Sequence, residues 1–247
     1  MADILSALPD EVVCHILSFL QTKDAVATSI LSTRWKHLWR SVPVLNFTNT
    51  VLTDQNANFR VTDFIYYVLL SRVSALPIKA FKISLIYHYN EDNNLGIHSF
   101  YKWINFLVER GVENLDLFLM LSSPGVPDLP NTILTCKTLV SLHLLFFSIN
   151  FTFPSVDLPS LKTLNLRFIF FPRNDGFMMF LAGCPNLEDL LVSYLLGFNS
   201  EDSLNSEQWK RLTLTNLTRA SLDSPNYRFP LEPLHNVHSL SISMAKV

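Results

Sequence analysis

LVSLHL (residues 139–144), LKTLNL (161–166) and LEDLLV (187–192) are three versions of one pattern, L-x-x-L-x-L. LTRASL begins again at Leu217 and VHSLSI at Val237, and weaker copies start at Val112 (VENLDL), Ile78 (IKAFKI) and Val42 (VPVLNF). The spacings between these anchors are 36, 34, 27, 22, 26, 30 and 20 residues. A strand on this pattern, returning every ~20–29 residues, cannot bury its apolar face alone; stacking on its neighbours does so. The chain therefore reads as α/β, with one parallel strand per repeat and then a helix or an irregular return. The two longest spacings hold FRVTDFIYYVLLS (59–71) and HSFYKWINFLVERG (98–111), whose apolar residues recur with a helical period.

The cysteines fall in register with the repeat. Cys136 and Cys184 each lie three residues before an anchor leucine, the place held by Leu158, Leu214 and Leu234 in other repeats. A small apolar residue belongs there, and cysteine packs as one. Their spacing fits no zinc pattern, and Cys14 reads likewise as a packing residue. With the leucines inward, alternation turns Asn114, Asp116 and Phe118 outward, and with them Ser141, His143 and Leu145, Thr163, Asn165 and Arg167, and Asp189, Leu191 and Ser193. Phe118, Leu145 and Leu191 are apolar among polar neighbours, so with His143 and Arg167 they form a candidate target-binding surface.

The chain opens differently. In LPDEVVCHILSFL (8–20), Pro9 suits a first helical position, and Asp10 and Glu11 suit the first turn. Val12, Val13, Ile16, Leu17 and Leu20 read as one apolar face. Thr22 and Ser32 read as caps of two further short helices, and Trp35, Leu38, Trp39 and Val42 share a face of the third. Three such helices cannot close a core alone, so their apolar faces rest on the rest of the chain or on another protein.

LPDEVVCHILSFLQTKDAVATSILSTRWKHLW (8–39) closely resembles the F-box. The shared positions are Leu8-Pro9, the acidic pair, Ile16-Leu17-Ser18, Leu20, Asp24 and the ending Ser32-x-Arg34-Trp35-x-x-Leu38-Trp39. The repeated units beyond residue 42 resemble leucine-rich repeats, and the whole is similar to the plant-type F-box/leucine-rich-repeat substrate receptors of SCF ubiquitin ligases. The resemblance implies an N-terminal three-helix F-box at residues 4–42 and an irregular leucine-rich-repeat solenoid with a parallel β-sheet at residues 43–247. It implies a Skp-type adaptor and, through it, a cullin as partners, with a target protein on the repeats. The adaptor-binding residues it implies are Leu8, Pro9, Ile16, Leu17, Leu20, Trp35, Leu38 and Trp39. One departure stands out: the usual repeat places asparagine three residues after the last strand leucine, where this chain has Met120, Phe147, Ile169 and Leu195.

Composition narrows the alternatives. Hydrophobic residues make up 49% of the chain and charged residues 16%, which excludes disorder. With a net charge of −2 and four acidic against four basic residues in positions 1–41, nothing drives nucleic-acid binding, and a DNA-binding helical head is rejected. The acidic start is no secretory signal, and the longest uncharged stretch, 138–156, is too polar for a membrane helix. Three cysteines without a signal point to a reducing compartment, cytoplasm or nucleus. No catalytic motif occurs, His235 and His238 have no third ligand, and neither enzyme activity, cofactor nor metal is expected. Two rival readings are a repeat scaffold outside any ligase and a short competitor of longer receptors. The second arises because the chain stops five residues after Ile242, with Leu240 and Ile242 expected near an open strand edge.

Overall fold

The computed structural model describes residues 8–73, 76–88, 94–121, 125–150, 156–173, 175–197, 212–224, 229–230 and 232–243. They belong to two compact units, residues 1–112 and 113–247.

The first unit begins with α1 (Asp10–Leu17), α2 (Thr22–Ala27) and α3 (Trp35–Leu38), the last two continued by short 3-10 turns. Then come β1 (Val44–Leu52), α4 (Gln55–Ser71), β2 (Ala80–Tyr87) and α5 (Asn94–Glu109). β1 and β2 pair in parallel from Val44↔Ala80 to Leu52↔Tyr87, with a register break after Phe47. Helix α4 starts at Asp54, whose carboxylate accepts the Ala57 N–H at 2.7 Å. The inward residues of α5, Phe100, Trp103, Ile104 and Leu107, keep the helical period and are fully buried. The head is part of this unit because β1 and α4 meet its free groups. Thr22 is the first residue of α2 rather than its cap, and its hydroxyl accepts the backbone N–H of Asn46 on β1 at 2.7 Å. The Tyr67 ring of α4 lies 5.8 Å from that of Trp39.

The second unit is a parallel sheet of β3 (Asn114–Met120), β4 (Ser141–Ser148), β5 (Thr163–Phe170), β6 (Asp189–Leu196), β7 (Arg219–Asp223) and β8 (Ser239–Ser243), paired in sequence order. The pattern leucines lie in rows across it: Leu115, Leu142, Leu164 and Leu190 in one, Leu117, Leu144, Leu166 and Val192 in the next, all buried. Among the described residues the returns hold a 3-10 turn at Asn131–Thr135, helix α6 (Gly176–Ala182) and a second 3-10 turn at Glu232–Leu234. Cys136 and Cys184 are buried with Leu158 and Leu214. In these four repeats and at Leu234 the carbonyl of that residue accepts the N–H of the anchor three residues on, as Cys184 does from Leu187 at 3.2 Å. Burial pushes the Cys184 thiol up to about 12. β8 departs from the pattern in burial: Leu240, in register with the buried Ala220, is exposed.

The strand ends explain the missing asparagine. Phe146, Phe168 and Tyr194 have left-handed φ of 61°, 51° and 57°. Pairing skips them: Leu145↔Arg167 is followed by Phe147↔Ile169, and Arg167↔Ser193 by Ile169↔Leu195. Each skipped residue stands level with that of the next strand, turns outward and returns the residue after it to the core. Phe147, Ile169 and Leu195 are therefore buried, whereas Met120, on a strand without a left-handed residue, is exposed. An asparagine pair occurs instead at the opposite end of the strands. Asn216 donates to the Asn186 side chain at 2.9 Å, and Asn186 to the Pro159 carbonyl at 2.8 Å.

Candidate docking sites

α1 carries two apolar rows, not one face. Val13, Cys14 and Leu17 turn inward, with the Cys14 thiol donating to the Leu38 carbonyl at 3.6 Å. Val12, Ile16 and Leu20 face solvent. Pro9 stands just before the first helical residue, and its carbonyl accepts the N–H of Val12 and Val13. Arg34 ties the ends of the head together: it pairs with Asp10 at 2.6 Å and donates to the Leu8 carbonyl. Ser32 accepts the Trp35 N–H at 3.3 Å, which sets the start of α3.

Those contacts decide where the adaptor candidates lie. Leu17, Trp35, Leu38 and Trp39 are buried inside the chain's own core, the two tryptophans at 6% and 3% exposure. Side chains so covered offer almost no area at the surface of the chain. Ile16, Leu20 and Pro9 are exposed and Leu8 is half-buried. Also exposed on the head are Phe19, Ile30 and Leu31, by 74%, 87% and 66%. Phe19 and Leu31 occupy the ends of helices and the turns between them, where periodicity carries no signal. Their mark in the sequence is a large apolar residue in a turn.

On the sheet, Phe118, His143, Leu145 and Leu191 are half-buried and Arg167 is exposed. His143 stands opposite Asp116 and Asn165 in the pairing, and its Nε2 lies 3.3 Å from the Ser141 hydroxyl. Arg167 stands between Leu145 and Ser193, with Nε donating to Asn165 at 3.2 Å. Beside them are the rings of the left-handed residues. Phe118 lies 5.8 Å from Phe146, Phe146 4.9 Å from Phe168, and Phe168 4.7 Å from Tyr194 with planes 4° apart. A left-handed non-glycine residue costs about 1–2 kcal/mol, which this stacking helps to offset. The sequence does carry the sign, an aromatic residue two after the last strand leucine or valine in three successive repeats.

The F-box family model matches residues 5–47, and the model described as "FBD-associated F-box protein At5g56370, LRR repeats" matches residues 100–224. The chain belongs to the F-box/leucine-rich-repeat family. Among the relatives of this F-box/leucine-rich-repeat chain is the Arabidopsis thaliana F-box/LRR-repeat protein At4g14103, 37% identical over 79% of this chain and 51% of its own length. Another is F-box/LRR-repeat protein At4g14096 of the same plant, 35% identical over 91% of this chain and 48% of its own length. The chain thus spans about half the length of the curated relatives it matches. No solved structure matches it. Among the described residues, no helix is long and apolar enough to cross a membrane, and no three His, Cys, Asp or Glu side chains gather as a metal site.

Proposed function

We propose that the chain is a substrate-recognition subunit of an SCF-type cullin–RING ubiquitin ligase. The head docks a Skp-type adaptor and through it a cullin; the repeats hold a target protein. The chain does no chemistry itself, and the ligase acts by holding the target close to a loaded conjugating enzyme. The observation that carries this reading is the exposed apolar set on the F-box head, Val12, Ile16, Phe19, Leu20, Ile30 and Leu31. Large apolar side chains gathered at solvent mark a partner surface. Leu8 and Pro9 border that set, while Leu17, Trp35, Leu38 and Trp39 serve the interface from below as its support.

The test is calorimetry of the chain with purified Skp-type adaptor. Binding by the wild type, and its loss in the Phe19→Asp/Ile30→Asp double variant with unchanged circular dichroism, is the expected result. No binding by the folded wild type overturns the reading.

A further inference from the structure

We infer that the ring stack and Arg167 together form the seat for a short acidic, aliphatic segment of a target protein. The inference deepens the receptor reading and rests on it.

The stack lies at the C-terminal ends of four adjacent strands, and Phe118, Leu145, Phe146, Phe168 and Tyr194 all retain exposure there. At about 4.8 Å between strands the band is about 14 Å long, the reach of four or five extended residues. Its chemistry comes from the ring geometry. Phe168 is sandwiched between Phe146 at 4.9 Å and Tyr194 at 4.7 Å, so its two faces are occupied. The stack therefore offers ring edges to a partner. Edges carry the positive end of the ring quadrupole, so they suit aliphatic groups and oxygen atoms rather than cations or stacked bases.

Arg167 stands within the band and adds the one full charge there. Apart from the Nε contact with Asn165, its guanidinium has no partner among the described residues. The acids among the described residues do not neutralise it. Asp189 is paired with Arg219, Asp223 stands two strands away, about 9–10 Å off, and Asp116, two strands away on the other side and opposite Asn165 rather than Arg167, is farther still. A carboxylate supplied from outside would complete a two-pronged pair with its free nitrogens. Positive ring edges and an unneutralised guanidinium favour the same kind of partner, a carboxylate flanked by leucine, isoleucine or phenylalanine.

The probe is a displayed library of random peptides of about twelve residues, selected on the full chain in complex with its adaptor. Selection should enrich peptides with Asp or Glu beside large aliphatic or aromatic residues. A synthetic peptide from that set should lose at least about tenfold in affinity for the Arg167→Glu variant, and should regain it when its own acid is changed to Lys. Arg167 is exposed, so this variant keeps the fold, as circular dichroism would verify. A Phe168→Ser variant should weaken the same peptide comparably. The inference fails if no acidic consensus emerges, or if the selected peptide binds the Arg167→Glu variant unchanged. Failure of the peptide with the adaptor still bound removes this seat and leaves the receptor reading intact. Failure of the wild type to bind adaptor removes the receptor reading, and selection on the chain alone then decides the seat.

Discussion

The hydroxyl of Thr22 accepts the backbone N–H of Asn46 at 2.7 Å, joining the second helix of the head to strand β1. Thr22 is 4% exposed, so water cannot replace it. Thr22→Val keeps the shape and removes the acceptor. An unsatisfied buried donor costs about 1–3 kcal/mol, and chemical denaturation of the variant should show a loss in that range.

Trp35 and Phe19 should separate folding from docking. Trp35 is covered and Phe19 is not. Trp35→Ala should destabilise the chain by about 3–5 kcal/mol, read from denaturant midpoints. Phe19→Asp should leave the midpoint within about 0.5 kcal/mol of wild type and act on adaptor affinity alone.

Gly197, at φ +90°, ends β6 where an added Cβ would collide with the Phe171 carbonyl and the Phe170 ring. The close approach allows the Phe171 N–H to reach the Leu196 carbonyl at 3.0 Å. Gly197→Ala should therefore lower the thermal midpoint by several degrees, corresponding to more than about 1 kcal/mol.

Arg72 is the chain's costly residue. It is 6% exposed, and all three guanidinium nitrogens lack a hydrogen-bond partner among the described residues. Burial, with the Arg110 charge as a lesser cause, pulls its pKa below the usual guanidinium range, down to about 10. Below pH 10 the folded state carries this charge and its full desolvation cost. Above about 10 the folded state sheds the proton before the unfolded chain does, so the cost shrinks as pH rises. Arg72→Met should stabilise the protein by about 1–4 kcal/mol at pH 7, and the advantage should narrow above pH 10. Thermal scans of the two proteins across pH check both statements.

β8 pairs with β7 alone among the described residues, and Leu240 on it is 46% exposed. Amides of residues 237–243 should exchange with deuterium much faster than those of 161–167, which lie between paired neighbours. Equal protection would show that the outer edge of β8 is covered in solution.

The period of L-x-x-L-x-L was enough to establish parallel strands, their order, the inward rows of leucine and the packing role of Cys136 and Cys184. Each of those depends only on which residues must share a buried face. The F-box head was legible too, since its motif positions lie within 32 contiguous residues (8–39). Tertiary structure alone decided how the apolar residues divide between core and partner. Periodicity says that the rows of α1 and the tryptophans of α3 must be covered, but not by what. Asn46 on β1 and Tyr67 on α4 come from elsewhere in the chain to meet Thr22 and Trp39 of the head, while Phe19 and Ile30 stay exposed. The ring stack was hidden for a related reason. One left-handed residue near the end of β4, β5 and β6 shifts which side chains face out beyond it, and alternation counted along the sequence cannot register that until φ at Phe146, Phe168 and Tyr194 is known.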